Sequence, residues 1–516
     1  MSATSTRRDV LRWAVAGGAV LLTGCGTQAA PGAAGGPPRR GGRLRAGIVG
    51  GSAKDSLDVH APVTHPDEAR VLQLYDSLLC YDTDFRIQPA LAEEVTPSAD
   101  AKTWTIRLRQ GVEFHNGKAV TAEDVAFSLR RIVDPAKPQA GAVGLAAIDP
   151  AGIEIVDPRT LRLNLRTPDA VLADQLAQYN NGIVPIGYDP KKPIGTGPFA
   201  FGSFEPGQQS TFTRNPKYWR ENEPYLDEIV IIDFPDDTAR VNALLGGQVD
   251  VIDQLPLGQI EVVRANPALK VLDSETGAWT PFTMRVDQPP FDDPRVREAF
   301  RLIVDREQMV KQVLGGHGVV GNDLYARFDP AYAKDLPQRK QDIGRAKELL
   351  KQAGKENLTV ELVTSAVAAG LVEAAQVFAN QAKAAGVTVN VRKVDSGEFY
   401  GDNYLKWTFA QDFWFTRSYL PQTAQGSVPG APYNETHWSD PKFVDLIAQA
   451  RSTVDEKQRA ELIKQAQRME YDSGGYIVWG FANQVDAHSV RVNGLVPDRS
   501  GVPLTSYGFR RAWMSA

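Results

Sequence analysis

Apolar residues recur along most of the chain with two spacings, one typical of strands and the other of helices. Residues 104–108 alternate apolar and polar side chains, which predicts a half-buried strand, and residues 229–234 are apolar except for Asp233, which predicts a buried one. Helical spacing follows Thr121 and again follows Asp293, and both residues are good helix caps. Asp305 leaves open whether the second of these helices ends there or continues. The pattern predicts an α/β fold without an internal repeat.

The second half of the chain carries the clearest strand–helix–strand unit. Its pattern predicts strands at residues 358–364 and 387–391, with a helix at 371–385 between them. Such a unit is typical of a right-handed crossover between two parallel strands. We therefore expect an α/β architecture with at least two lobes.

The first 25 residues have the anatomy of a bacterial export signal. Arg7 and Arg8 precede an apolar run at residues 13–22, which is too short to span a bilayer, since a spanning helix needs about 20 residues. The arginine pair resembles a twin-arginine signal, and the sequence LTGC ending at Cys25 resembles a lipobox, whose cysteine is lipidated after cleavage. We expect a signal peptide at 1–24 and a lipid on Cys25 that anchors the protein on the outer face of the cell membrane. A plain secretion signal that happens to contain a cysteine is the alternative.

Composition excludes several classes of protein. The chain has 516 residues, 42% apolar and 23% charged, which is ordinary for globular proteins and suggests about three domains. Two cysteines are too few for a disulfide scaffold or a thiolate cluster. A formal net charge of −5 argues against nucleic acid as a partner. The six histidines show no ligand spacing, so we expect neither a metal site nor a cofactor.

Motifs of catalysis are missing from the sequence. It contains no G-x-S-x-G elbow, no H-E-x-x-H pair and no phosphate-binding P-loop. Residues 316–321 match G-x-G-x-x-G, but they follow a predicted helix and open none, so we interpret them as a helix stop and loop. Cys80 has apolar neighbours and is predicted to be a small buried residue. We expect a protein that is not an enzyme; a secreted hydrolase with an unrecognised nucleophile is the alternative.

A series of motifs resembles a known family. These motifs are LYDSLL at 74–79, PALAEE at 89–94, FHNG at 114–117, TAEDV at 121–125, IGTGPF at 194–199, RNPKYW at 214–219 and RVREAF at 295–300. In this order they resemble the bacterial extracellular solute-binding proteins of family 5, from about Gly41 to the C-terminus.

The resemblance implies a periplasmic-binding-protein-like fold. Two lobes joined by a hinge grip the ligand in the cleft between them, and the first lobe carries an extra domain. Carried onto this chain, lobe one comprises residues 42–73, 196–285 and 483–516, the extra domain 74–195, and lobe two 286–482, after a flexible tether at 25–41.

Members of this family deliver solutes to ABC importers. The resemblance therefore implies partners in the permease and ATPase subunits, a small peptide or peptide-like ligand, and a monomeric protein. A metal chelate, a haem-like molecule or an aromatic carboxylate is the alternative ligand. A receptor or chaperone that senses peptide without an importer is the alternative role.

The resemblance also implies ligand-binding residues. Asp412 corresponds to the aspartate that meets the α-ammonium of a bound peptide, because a charge-assisted hydrogen bond holds an ammonium in a dry cleft. The preceding Thr408, Phe409 and Ala410 resemble a strand whose backbone pairs with an extended peptide. On lobe one, the loop formed by Val63, Thr64 and His65 resembles the ligand-facing loop. Asp412 as a turn cap and His65 as a plain loop residue are the alternatives.

The sequence departs from peptide-binding members just past this aspartate. It reads WFTR at 414–417, where those members often carry acidic or Asn residues and a Pro. Trp407 and Trp414 would make the cleft unusually aromatic, and Arg417 could hold a ligand carboxylate with two hydrogen bonds. The alternative is that the aromatic residues form core behind the cleft. The departure leaves the class of ligand open.

Overall fold

The computed structural model describes residues 36–515, where strands and helices alternate. The predicted signal peptide at 1–24, the lipidation site Cys25 and most of the tether at 25–41 lie outside these residues. The strands are β1 (Arg43–Val49), β2 (Leu79–Tyr81), β3 (Ile87–Pro89), β4 (Ala92–Pro97), β5 (Thr103–Leu108), β6 (Ile148–Asp157), β7 (Thr160–Leu165), β8 (Phe199–Glu205), β9 (Gln209–Arg214), β10 (Glu228–Phe234), β11 (Val251–Ile252), β12 (Leu269–Trp279), β13 (Phe282–Met284), β14 (Gly318–Val320), β15 (Thr359–Thr364), β16 (Thr388–Lys393), β17 (Phe409–Gln411), β18 (Tyr476–Ile477), β19 (Gly480–Ser489), β20 (Val492–Asn493) and β21 (Trp513–Met514).

Most of the helices begin directly after a Thr or Asp that can cap them. They are α1 (His65–Leu74), α2 (Ala122–Ile132), α3 (Leu172–Leu176), α4 (Asp237–Leu245), α5 (Ile260–Ala265), α6 (Pro294–Ile303), α7 (Arg306–Val313), α8 (Ile343–Gln352), α9 (Leu371–Lys383), α10 (Ser396–Phe399), α11 (Tyr419–Gly426), α12 (Pro441–Ser452) and α13 (Glu456–Ser473). Asp305 accepts a hydrogen bond from the backbone N–H of Gln308 and so caps α7. It therefore separates α7 from α6, which settles the alternative that the sequence left open.

The largest sheet belongs to lobe one. Its strand order is β12-β19-β11-β1-β10-β9-β8, and β14 also pairs with β19. The central strand β1 runs parallel to β10 and β11. Leu44, Ala46 and Ile48 alternate along β1 and are fully buried, in one core with α1. Burial of one face of β1 against α1 thus holds that helix on the sheet.

A separate four-stranded sheet lies inside the segment predicted as the extra domain. Its order is β4-β5-β7-β6, and all three pairings are antiparallel. The alternation predicted at residues 104–108 is present in β5, where Trp104, Ile106 and Leu108 are buried. They share a core with the apolar face of α2.

The third large sheet belongs to lobe two. Its strand order is β16-β15-β17-β13-β18. The strands β15 and β16 pair with each other in parallel, and α9 connects them along the chain, as the strand–helix–strand pattern predicts. Phe282, Phe300, Phe378 and Phe409 form the centre of the core on this sheet.

The chain passes between the two large sheets at two places. It leaves the first sheet between β12 and β13, at residues 280–281, and returns between β18 and β19, at residues 478–479. Because β12 and β19 pair antiparallel up to Trp279 and Phe481, the two crossings lie side by side. Two adjacent connections of this kind are what a hinge between lobes requires.

Two local predictions differ from the structure. Residues 318–320 form strand β14 instead of a loop, because their backbone pairs with Phe481 and its neighbours on β19. Cys80 is half-buried instead of buried, since it lies on the small β2–β3 hairpin, and Arg220 donates to its sulfur from 3.6 Å.

A substitution at Phe409 tests whether this aromatic residue belongs to the core of lobe two. It is 1% exposed, and its ring centroid lies 5.1 Å from that of Phe291 and 5.5 Å from that of Phe300. We expect Phe409→Leu to lower the free energy of unfolding by about 1–2 kcal/mol, because the smaller side chain leaves a cavity. The same change at Phe415, which is 47% exposed, is the control and changes stability by less than about 0.5 kcal/mol. Urea denaturation measures both; equal effects would contradict the core assignment.

Candidate functional site

The carboxyl ends of β1, β10 and β11 meet at one edge of the lobe-one sheet. In open α/β sheets with parallel strands, ligands bind in the crevice outside this edge. Helix α1 begins here, and Thr64 caps it with a reciprocal pair of hydrogen bonds to Asp67. Val63, just before the cap, is 87% exposed. The predicted loop 63–65 therefore lies at the expected edge, but His65 is the first residue of the helix instead of a loop residue.

His65 and Glu68 lie together on the first turn of α1. The amide nitrogen of Gln254 donates to Nε2 of His65 across 2.7 Å, and burial lowers the pKa of His65. Nδ1 of His65 lies 3.9 Å from the Glu68 carboxylate. Burial and the nearby Asp253 raise the pKa of Glu68 to about 8. Glu68 is therefore mostly protonated at neutral pH.

Asp412 follows directly after β17 in lobe two and is 5% exposed. Its carboxylate accepts hydrogen bonds from the hydroxyls of Tyr400 at 2.7 Å and Tyr404 at 3.0 Å, and from the backbone N–H of Phe413 at 2.8 Å. Burial and this carboxylate raise the pKa of Tyr400 above its ordinary value. These three bonds hold the carboxylate in one orientation, and the bond from Phe413 is local to its own turn.

Glu435 lies beside Asp412 and is equally buried. Burial first, and the Asp412 charge second, raise the pKa of Glu435 well above its ordinary value. The hydroxyl of Tyr476 donates to Glu435 from 2.7 Å. The sequence gives no sign of this pairing, because Asp412 and Glu435 are brought together by packing between separate loops.

Arg417 is the positive group of the lobe-two wall. Its guanidinium carbon lies 5.5 Å from the ring centre of Trp414, and it donates one long bond of 3.3 Å to Gln422. No carboxylate within residues 36–515 lies within 4 Å of it. Burial lowers the pKa of Arg417, while the hydroxyls of Tyr433, Tyr179 and Tyr81 oppose that shift.

An aromatic wall connects the acidic and basic ends of this site. The ring of Tyr404 lies 6.4 Å from that of Tyr433, which lies 6.0 Å from that of Trp414. Tyr404 bonds Asp412, and Trp414 stacks near Arg417. These contacts connect a carboxylate, a row of aromatic rings and a guanidinium in that order. Trp414 is 6% exposed and stacks on Trp279, so most of its ring belongs to the core behind the wall.

The residues just before Asp412 serve the sheet and its core. Strand β17 is an interior strand, flanked by β13 and β15, so its backbone is already paired. The backbone C=O of Thr408 accepts from Arg285, and Phe409 and Ala410 are buried. The prediction that Thr408–Ala410 pair with an extended peptide is therefore wrong for this strand. Trp407 is half-buried, and its indole N–H donates to the backbone C=O of Phe399.

Several hydrogen bonds cross directly between the extra domain and lobe two. Ser418 donates to Asp174 at 2.6 Å, and Arg451 pairs with the buried Asp169 at 2.6 Å. The backbone N–H of Ala170 donates to the C=O of Arg451 at 2.7 Å. Burial raises the pKa of Asp174 to about 6. These bonds hold the two walls of the cleft against each other on the side of the extra domain.

Metal-binding and membrane-spanning features are not found in the described part of the chain. Residues 36–515 contain no group of three His, Cys, Asp or Glu side chains placed to hold a metal ion. In the same range, no helix has the length and apolar character needed to cross a bilayer.

Comparison with known proteins decides the family. Residues 86–427, more than half of the chain, match the family described as bacterial extracellular solute-binding proteins, family 5 Middle. The chain belongs to this family. It is 28% identical over 466 residues to di/tripeptide-binding protein 2 of Pseudomonas aeruginosa (strain UCBPP-PA14), covering 83% of this chain and 87% of that protein. It is 26% identical over 487 residues to the glutathione-binding protein GsiB of Escherichia coli (strain K12), covering 87% and 92%.

A solved structure confirms the two-lobed fold of this family 5 protein. The ABC transporter substrate binding protein CtaP from Listeria monocytogenes superposes with a TM-score of 0.82 at 20% identity, covering 93% of this chain and all of that one. The predicted family and fold are thus confirmed, and the chain is an extracytoplasmic solute-binding protein by family.

The Asp169–Arg451 ion pair provides a test of the contact between the extra domain and lobe two. Asp169 is fully buried, so Arg451→Met leaves its carboxylate without a cation. We expect a loss of about 1–3 kcal/mol in the free energy of unfolding at pH 7. The loss shrinks toward pH 4, because protonation removes the buried charge. The control is Arg468→Met, whose exposed pair with Asp335 contributes less than about 1 kcal/mol. Equal losses in urea denaturation would contradict this contact.

Proposed function

We propose that this protein is the substrate-binding component of a bacterial ABC importer and captures a short peptide or peptide-like solute. The observation that carries the proposal is the lobe-two wall, where Asp412 and Arg417 lie at opposite ends of one row of aromatic rings. Two relatives are named as a di/tripeptide-binding and a glutathione-binding protein, and both names support a peptide-like ligand. The protein acts by binding, without catalysis.

Arg417 binds the carboxylate end of the solute. A half-buried guanidinium without a carboxylate partner has lost water without gaining a counter-charge, and that arrangement is costly. A ligand carboxylate offsets the cost, because two parallel N–H···O bonds match the planar guanidinium. The ring of Trp414 holds the guanidinium plane for this contact.

Asp412 binds the ammonium end of the solute. An ionised carboxylate has about four acceptor positions, and three donors of this chain already occupy some of them. The remaining position accepts from an ammonium, and the tyrosine hydroxyls keep the carboxylate oriented. Val63, Thr64 and His65 contribute from lobe one.

The separation of the two ends limits the size of the solute. Residues 412 and 417 are five positions apart, which is at most about 17 Å between their Cα atoms. A peptide of about two to four residues fits between ammonium and carboxylate contacts at this spacing.

An aromatic carboxylate is the second candidate ligand. The rings of Tyr433 and Trp414 beside Arg417 favour a flat acid as well as a peptide. Such a ligand needs Arg417 but not Asp412. A substitution at Asp412 therefore weakens the binding of a peptide but not the binding of an aromatic carboxylate.

We also propose how the protein is placed and organised. Residues 1–24 direct export and are removed, Cys25 carries the lipid, and residues 25–41 tether a monomer to the outer face of the cell membrane. Lobe one comprises 42–73, 196–279 and 480–516, the extra domain 74–195, and lobe two 282–477, with the two crossings between the lobes a few residues from the boundaries that the sequence predicts. The permease and ATPase subunits of the importer are its partners.

Trialanine and its capped derivatives test the two ends of the site. We expect N-acetylation and C-amidation each to weaken binding to the wild type by about 30-fold or more, since each leaves a buried charge unpaired. Asp412→Asn should abolish the response to acetylation only, and Arg417→Met the response to amidation only. Isothermal titration calorimetry provides the dissociation constants.

The matched control for this test is Arg392→Met. Arg392 also lies over a tryptophan, 5.6 Å from the ring of Trp407, but it pairs with Glu361 and Glu398 at the surface. It should leave both responses unchanged. Equal wild-type affinity for trialanine and for both of its capped derivatives would contradict the assignments. Tight binding of an aromatic acid that lacks an ammonium would favour the second candidate.

Anchoring is tested by Cys25→Ser in the bacterial host. The variant should move from the membrane fraction into the soluble extracytoplasmic fraction, because it has no acceptor for the lipid. Immunoblots of the two fractions give the distribution, with Cys80→Ser as the control. A Cys25→Ser variant that stays in the membrane fraction would rule out the lipid anchor.

A further inference from the structure

Gln254 lies just past the carboxyl end of β11 and has a backbone conformation that is rare for glutamine. Its φ is 43°, in the left-handed region that residues other than glycine seldom occupy. Residues in such conformations persist only where the surrounding structure holds them, and they cluster at ligand-binding sites. This edge of the lobe-one sheet is also where the loop 63–65 leads into α1. The conformation of Gln254 therefore calls for a functional explanation.

Hydrogen bonds to buried partners hold the backbone at this position. The N–H of Gln254 donates to the carboxylate of Asp486 on β19 at 2.9 Å, and its C=O accepts from the Arg240 guanidinium at 2.9 Å. The next N–H, that of Leu255, donates to the C=O of Val485 at 2.7 Å. Asp486 and Arg240 are both fully buried. The backbone of residue 254 is thus fixed on both of its polar groups.

The side chain of Gln254 is oriented as well. Its amide nitrogen donates to Nε2 of His65 at 2.7 Å. Burial lowers the pKa of His65, so the ring is neutral at pH 7 and Nε2 accepts this bond. The contact decides which atom of the amide meets the histidine, and it leaves the amide oxygen, Oε1, for another partner.

Oε1 of Gln254 is a free acceptor in the part of the chain that the structure describes. No N–H or O–H group of residues 36–515 donates to it. The side chain is half-buried, and Oε1 stays open to solvent. An acceptor that is already fixed in place binds a ligand with little further loss of conformational freedom.

A bound peptide needs such an acceptor. Its backbone N–H groups lose water in the cleft, and a buried N–H group without a partner is costly. The backbone of β17 cannot accept from them, because this strand is already paired with β13 and β15. Gln254 lies beside His65, in the part of lobe one that faces the ligand under the proposed function.

We propose that Gln254 is a further ligand-binding residue of lobe one, whose Oε1 accepts a hydrogen bond from a backbone N–H of the bound peptide. The proposal rests on the proposed function, since the loop 63–65 identifies this edge as a wall of the cleft. Asp486 and Arg240 are positioning residues that act through the backbone of Gln254. The contact recognises the peptide bond itself, whatever side chains the peptide carries.

Two analogues of trialanine test this contact, each with an ester oxygen in place of one of the two peptide N–H groups. We expect the wild type to bind one analogue at least about tenfold more weakly than trialanine, because Oε1 then meets an oxygen instead of a donor. In Gln254→Met, which has a similar length but no acceptor, this difference should disappear. Isothermal titration calorimetry gives the dissociation constants, and circular dichroism checks that the variant is folded.

The matched control is Gln259→Met, an exposed glutamine on the same segment. It should keep the difference. Equal wild-type affinity for trialanine and both analogues would overturn this inference and leave the proposed function standing. A difference that survives Gln254→Met would overturn it as well. A wild type that binds none of the three compounds would overturn the proposed peptide binding itself.

The orientation of the Gln254 amide is tested on the wild type alone. Nitrogen NMR of the His65 ring at neutral pH should show a proton on Nδ1 and none on Nε2, because Nε2 accepts from the amide. The spectrum of His65→Phe assigns the signals. A proton on Nε2 would mean that the amide is reversed, with its nitrogen in place of Oε1, and would overturn the inference.

Discussion

The antiparallel pairing of β12 with β19 is the interaction on which the whole arrangement depends. Both strands belong to the lobe-one sheet, and both continue directly into the lobe-two sheet through β13 and β18. The ladder extends from the Leu269–Ser489 pair to the Trp279–Phe481 pair. Because β13 lies next to β17 and β11 lies next to β19, this ladder determines how Asp412 in one lobe is placed relative to Glu68 in the other.

Buried arginines in this protein are satisfied in two ways. Arg297, which is 6% exposed, donates only to backbone carbonyls, whereas Arg306 and Arg339 pair with Asp323 at 2.6 Å and 2.5 Å. Those pairs offset the cost of removing charges from water. In the lobe-two wall, Arg417 carries this cost with one long bond to Gln422 in place of a carboxylate. A binding protein needs this imbalance, because charges that the fold has already satisfied contribute little to holding a ligand.

Local patterns in the sequence were sufficient for the elements and the family, but not for contacts between distant segments. The caps at Thr121 and Asp293 and the alternation in β5 predict their elements because those signals act within a few residues. Asp412 and Arg417 could be proposed because they are close in sequence. Glu435 was missed because only packing brings it beside Asp412. The free edge expected at β17 was wrong for the same reason, since its neighbours β13 and β15 come from distant parts of the chain.

The direct bonds between the extra domain and lobe two have a consequence for the rate of capture. A solute cannot pass between Asp169 and Arg451, or between Asp174 and Ser418, while those bonds are formed. Entry on that side therefore waits for a spontaneous opening of the protein, whatever the concentration of solute. Association by that route is limited by the frequency with which these bonds break, however high the solute concentration.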